Sequence, residues 1–162
     1  MICTRPLAPE EYDFLMDMHY ESIHIVEGKP PKEELLSSPH LIKYSENWGR
    51  PGDRALIALV DDIPAGAVWY RLFDENNKGY GFVDAHTPEL GIAILASHRQ
   101  QGLGMRLMEA IIQQAICDGY PALSLSVDPH NRAAVRLYER LGFSYCGTSG
   151  TSWTMKLDLD NS

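Results

Sequence analysis

The sequence predicts a mixed α/β domain, and three observations carry that prediction. Residues 54–73, "RALIALVDDIPAGAVWYRLF", hold two β-rich runs parted by the polar turn "DDIP". The second half alternates strand-like and helical stretches, the order expected of helices packed on a sheet. Two apolar helical stripes in that half each end at a glycine. A chain of 162 residues is ample for one domain with a real core, and a single domain over 1–162 is expected.

The elements follow in chain order. Met1 to Arg5 reads as a short strand, followed by a helix from about Glu10 whose Phe14, Leu15, Met18 and Ile23 recur at roughly helical spacing. "EGKPPKEELL" breaks that helix, and "SSPHLIKYSENWG" reads as a second short helix ending at Gly49. After the hairpin, "DENNKGYG" is a turn or longer loop, and "FVDAHTPELGIAIL" continues in strand-like fashion. In the next helix Leu103, Leu107, Ile111 and Ala115 fall four apart beside Met108, Ile112 and Ile116. Gly119 stops it, with Pro121 two residues beyond. "YPALSLSVDP" is another strand. Asn131 is then a candidate N-cap for a helix whose apolar face is Ala134, Leu137, Tyr138 and Leu141, stopped by Gly142. "FSYCGTSGTSWTMKLDL" closes the chain as a hairpin.

Composition narrows the function classes. No apolar run approaches the roughly 20 residues of a membrane helix, and "MICTRPLAPEEYDF" lacks a basic segment leading into an apolar one, so neither a membrane partner nor a signal peptide is expected. Cys3, Cys117 and Cys146 are far apart and odd in number, which suits reduced thiols in a cytoplasmic protein. A formal net charge of -8 argues against nucleic acid and permits a cationic substrate.

The stretch "SHRQQGLGMRLMEAII", residues 97–112, sets Gly102 and Gly104 where a helix starts. Glycine weakens a helix by roughly 1 kcal/mol relative to alanine, so bare backbone is needed there for another reason. One reason is an anion on the free amides at the helix N-terminus, with Arg99 and Arg106 adding charge. The other is a tight turn that demands positive φ, with solvated arginines. The dinucleotide motif G-x-G-x-x-G fails because Leu107 stands at the third glycine, and no GxxxxGK[ST] loop occurs.

"RQQGLG", Arg99 to Gly104, resembles the R/Q-x-x-G-x-G/A signature of the GCN5-related N-acetyltransferase (GNAT) superfamily. Its neighbours carry the likeness further. "ELGIAILASH" is similar to the family's fourth strand, and "LSVDPHNRAAVRLYERLGF" to its strand–Asn–helix–Tyr–Gly-Phe segment. The resemblance covers roughly residues 53 to 158, with 1 to 49 fitting the family's variable N-terminal part. It implies a mixed, mostly antiparallel sheet splayed between the fourth and fifth strands and flanked by helices. Acetyl-CoA or another acyl-CoA would lie in the V-shaped opening, as a cosubstrate without a metal. Carried over residue by residue, Arg99, Gln100, Gln101, Gly102, Leu103 and Gly104 would hold the pyrophosphate, mainly by backbone amides. Ile92, Ala93 and Ile94 would hydrogen-bond the pantetheine arm by main chain, Asn131 would contact the cofactor, and Tyr138 would lie beside its sulfur. Ala96 departs from the family's frequent proline after the strand.

Amine acylation needs a neutral amine, a stabilised oxyanion and a proton for the departing thiolate. The family's usual route is direct attack in a ternary complex. Tyr138 is the candidate general acid; its spacing equally allows a core tyrosine. Glu89 is the candidate base, directly or through a water, against a solvated strand-end glutamate, with His86 and Asp84 as rivals. Cys117 and Cys146 read as buried packing residues. His19, His24, His40, His98 and His130 form no metal pattern, and no HExxH or CxxC occurs. Trp48, Trp69 and Tyr70 would line an acceptor pocket with Tyr12, Tyr20 and Glu21, or else pack the core. The acidic "EEYDFLMD" is a solvated helix face or a lure for a cationic amine.

The expected function is therefore cytoplasmic acetyl transfer from acetyl-CoA to a primary amine, on a small molecule or a peptide. The alternatives are a non-catalytic acyl-CoA-binding or sensing module, and a nucleotide- or phosphate-binding domain on another α/β fold. Homodimers are common in the family, so a homodimer is a possible partner state, though no interface is legible here.

Overall fold

The computed structural model describes residues 1–23, 25, 27–99 and 101–159. Its strands are β1 (Ile2–Pro6), β2 (Arg54–Val60), β3 (Ile63–Arg71), β4 (Glu89–Ile94), β5 (Ala122–Val127), β6 (Ser144–Ser149) and β7 (Ser152–Asp158), and its helices are α1 (Tyr12–Ser22), α2 (Lys32–Leu36), α3 (Leu103–Cys117) and α4 (Arg132–Leu141). The strands are ordered β1-β2-β3-β4-β5-β7-β6 in a mixed sheet. β4 and β5 are parallel, with Glu89 opposite Ser124 as their register, against six residue pairs between antiparallel β5 and β7.

Two compact units divide the chain, the first 1–69 with 91–111 and the second 70–90 with 112–162. In the first, β1 pairs antiparallel with β2 from Ile2↔Val60 to Pro6↔Leu56. The β2–β3 hairpin turns through Asp61 and Asp62, both at positive φ, as a two-residue turn matching strand twist requires. Its core gathers Leu15 and Met18 of α1 with Ala67, Trp69 and Ala93. In the second unit β5 carries buried Leu123, Leu125 and Val127 on one face. Beside it the Tyr70 hydroxyl donates to the Asp118 carboxylate, and the Tyr70 ring meets Tyr120 edge-on. β6 and β7 form the closing hairpin, with a bulge between Tyr145 and Gly147.

Two expectations need correction. The segment expected only to break α1 contains α2, because Pro31 precedes a helix-forming Lys-Glu-Glu-Leu-Leu run; in "SSPHLIKYSENWG" the chain makes a single 3-10 turn at Ile42–Tyr44. Residues 82–88 are not strand, and β4 begins only at Glu89. Among the described residues no helix is long and apolar enough to cross a membrane.

Candidate active site

Helix α3 is anchored by its stripe: Leu103, Leu107, Met108, Ile111 and Ala115 are buried, each large side chain contributing on the order of 2 kcal/mol over its exposed state. The stripe fixes where the helix starts. Its first main-chain bond runs from the Arg106 amide to the Gly102 carbonyl at 3.2 Å. The amides of Leu103, Gly104 and Met105 thus precede the helical ladder, as first-turn amides do. Gly102 has φ +80°, which L side chains rarely adopt, and a Cβ there would meet nothing within 4 Å. The positive-φ reading of Gly102 therefore holds, and the space over its backbone is open. Leu103 gives its side chain to the core, while Gly104 lies inside the helix. Arg99 is exposed, and its Nε donates to the Ile94 carbonyl at 3.2 Å, tying the loop to the end of β4. Gln101 is exposed, and Gln100 lies outside the described residues, as does His24.

Along β4, Ala93 is buried, with Ile92 and Ile94 half-buried. β4 is braced just past its end by the Leu95 amide on the Ala65 carbonyl at 2.8 Å. Over this part of the first unit lies an aromatic stack that the sequence reading missed. His19 is buried, stacked on Trp69 with ring centroids 4.3 Å apart, and met edge-on by Trp48 at 6.0 Å. Its signal was present: His19 falls four residues after Leu15, on the buried stripe of α1. Trp69 and Tyr70 are buried, Tyr12 and Glu21 are exposed, and the Tyr20 hydroxyl donates to the Pro30 carbonyl.

In the second unit Asn131 caps α4: its Oδ1 accepts from the Ala134 amide at 3.4 Å. Gly142 ends the helix in the left-handed region, and Phe143 reaches back so that its amide bonds the Tyr138 carbonyl at 3.0 Å. Tyr138 is 7% exposed and packs against the Phe143 ring. Burial pushes its phenol up to about 12, since a low-dielectric surround disfavours phenolate. The hydroxyl keeps its proton at neutral pH.

Glu89, at the first position of β4, is 6% exposed, so the solvated alternative is excluded. Its Oε1 accepts from the Gly81 amide at 3.1 Å. Gly81 itself is required, because a Cβ there would stand 2.7 Å from the Leu125 carbonyl carbon. The rivals differ from Glu89. His86 is exposed. Burial raises the Asp84 carboxyl, but bonds from the His86 amide and the Thr87 hydroxyl and the Lys156 charge outweigh it and leave it lowered, a poor proton acceptor.

Further corrections concern side chains at the surface. All three cysteines are exposed: Cys117 lies off the buried stripe of α3, and β6, which carries Cys146, has no buried residue. The acidic run of α1 is partly tied down: Glu11 takes both guanidinium nitrogens of Arg5 at 2.7 Å, and Asp17 takes Lys32 at 2.6 Å. Among the described residues no group of His, Cys, Asp or Glu could hold a metal ion.

A family model described as Acetyltransferase (GNAT) family matches residues 15–143. The chain belongs to the GNAT acetyltransferase family. Curated GNAT relatives include the L-methionine sulfoximine/L-methionine sulfone acetyltransferase of Pseudomonas aeruginosa, 31% identical over 56% of this chain and 52% of that protein. The chain thus spans about half the length of that relative. The [ribosomal protein bS18]-alanine N-acetyltransferase of Salmonella typhimurium is 28% identical over 71% of this chain and 74% of its own. Among solved structures, an N-acetyltransferase from Staphylococcus aureus Mu50 has a TM-score of 0.73 at 18% identity, covering 99% of both chains. yncA from Salmonella typhimurium, solved with its cofactor acetyl-CoA, has a TM-score of 0.74 at 16% identity, over 100% of this chain and 96% of that one. At such identities the GNAT fold is what they share.

Proposed function

We propose that this GNAT protein is a single-domain, cytoplasmic N-acetyltransferase that moves an acetyl group from acetyl-CoA to a primary amine by direct attack in a ternary complex. The observation that supports the reading is the start of α3, where Gly102 is left-handed, a Cβ on it would meet nothing within 4 Å, and the helical ladder begins only at the Arg106 amide. Backbone donors in such a place suit a pyrophosphate. Arg99, Gln100, Gln101, Gly102, Leu103 and Gly104 would hold it, Ile92 to Ile94 would meet the pantetheine arm, and Asn131 would sit near it. Acetyl-CoA supplies the activated thioester; the protein supplies the rest.

Glu89 takes one proton from the acceptor ammonium, leaving a neutral amine. The amine nitrogen then bonds to the thioester carbonyl carbon. As the C–S bond breaks, the departing sulfur takes a proton from the Tyr138 hydroxyl, which burial keeps protonated. The second proton lost by the nitrogen restores Tyr138. The named relatives act on a small amino-acid derivative or on the alanine of a ribosomal protein, so an amino-acid or peptide amine is the proposed acceptor class.

A turnover screen tests this directly, with methionine sulfoximine, free amino acids, polyamines and alanine-terminated peptides as acceptors and acetyl-CoA as donor. Thiol release that depends on one amine class supports the reading. Acetyl-CoA binding without turnover on any amine would leave a non-catalytic acyl-CoA-binding module instead.

A further inference from the structure

Strand β4 reads Glu-Leu-Gly-Ile-Ala-Ile, and its glycine is filled in from the neighbouring strand. A Cβ on Gly91 would stand 2.7 Å from Nε1, Cε2 and Cζ2 of the Trp69 indole, closer than real Cβ atoms come. A glycine inside a strand marks such a close approach. The edge of the Trp69 ring therefore lies where a β4 side chain would otherwise be.

That ring is held from behind. His19 stacks on it with centroids 4.3 Å apart, and Trp48 meets His19 edge-on. Leu15, Met18 and Ala93 share its buried cluster, and Trp69 itself is 4% exposed. A ring packed in this way resists added volume, because interiors are close-packed and overfilling strains them.

The direction of β4 says what meets the ring edge. The Leu95 amide bonds the Ala65 carbonyl, towards β3. Amides alternate between the two edges of an extended chain, so those of Ile94 and Ile92 turn to the edge away from β3. On the reading proposed above, the pyrophosphate lies at Arg99 to Gly104 and the pantetheine arm runs along Ile94 to Ile92. Acetyl-CoA carries pyrophosphate, pantetheine and thioester in that order. Its acyl group therefore comes after Ile92 and reaches Gly91.

We propose that Trp69 is the specificity-determining residue for the acyl chain: its indole edge, standing in place of a Gly91 side chain, closes the space beyond an acetyl group to longer acyl-CoAs. The inference rests on the acyl-CoA reading of β4 and the start of α3. One methylene in an apolar pocket is worth roughly 10- to 200-fold in discrimination, and a butyryl chain has two more than acetyl.

Calorimetric titration of the full chain with CoA, acetyl-CoA and butyryl-CoA tests this. The variants are Trp69→Phe, which keeps a ring for His19 to face but lacks the indole Nε1, and Trp69→Leu, which keeps no ring; cooperative melting reports that each is folded. The parent binds acetyl-CoA at least about tenfold more tightly than butyryl-CoA. In both variants the two Kd values come within about threefold of each other because butyryl-CoA tightens, while Kd for CoA moves less than about twofold. Adding Gly91→Ala to Trp69→Phe returns a methyl to the vacated space and restores the preference for acetyl-CoA, which a merely loosened core would not do. Equal affinity for the two acyl-CoAs in the parent, or a parent-like ratio in the folded variants, with CoA still bound, overturns the role of Trp69 and leaves the acyl-CoA reading standing. No binding of CoA or acetyl-CoA by the parent overturns that reading, and the role of Trp69 with it.

Discussion

The helices α3 and α4 begin in different ways. At α4 the Asn131 side chain turns back onto the Ala134 amide, so a first-turn donor is satisfied within the helix. At α3 the preceding residue is Gly102, which has no side chain to turn back and stands in open space. One helix closes its own N-terminus with a side chain, and the other follows a residue that has none. The difference suggests a division of labour to test: α4 is self-capped and carries Tyr138, whereas the start of α3 is the proposed docking point for an anion.

The sharpest test of that division is Tyr138→Phe. If α4 serves chemistry and not cofactor binding, kcat falls by about 10²-fold or more, as loss of a general acid does. The Kd for acetyl-CoA stays within about twofold, read by titration. A parent-like kcat returns Tyr138 to the core.

Asn131 breaks the comparison more gently. Asn131→Ala should lower stability by about 1 kcal/mol in chemical denaturation, and Asn131→Asp, itself a good cap, should restore it. Should Asn131→Ala instead weaken acetyl-CoA binding with stability intact, Asn131 is a contact and both helix starts serve the cofactor.

The smallest effect lies in alkali. The folded pKa of Tyr138, about 12, exceeds the value near 10 of an unfolded chain. Its contribution to stability is therefore complete below about pH 10 and is lost as pH rises towards 12, because the unfolded state gives up the proton first. Melting curves from pH 8 to 11.5 should show a loss that Tyr138→Phe lacks in part; identical losses would mean that Tyr138 ionises normally.

The helix ends were legible in the sequence because they are local. Gly102, Asn131 and Gly142 each answer to the few residues around them, and all three stand where the pattern put them. What depends on distant chain was not legible. Residues 82–88 have strand-like composition, yet the segment is shaped by Gly81 against β5 and by Glu89 on the Gly81 amide. Cys117 and Cys146 fall on regular elements, but whether a face is buried is decided by what packs there, and on β6 no residue is buried. The spacing of His19 from Leu15 marks it as a residue of the buried α1 stripe, but its stacking on Trp69 depends on a strand distant in sequence. For Glu89 and Tyr138 the sequence allows both a catalytic and a structural role. Burial removes the solvated alternative for Glu89, while for Tyr138 burial is equally what a core residue would have.

The most direct test is calorimetric titration of the protein with acetyl-CoA, with ATP and NAD as controls, on the parent and on Gly102→Glu. An open, anion-seeking start of α3 predicts saturable one-site binding by acetyl-CoA alone. It further predicts at least a tenfold rise in Kd when the substitution puts a carboxylate over the first-turn amides. No acetyl-CoA heat in the parent, or equal affinity in the folded variant, would contradict it: Gly102 would then serve only the turn.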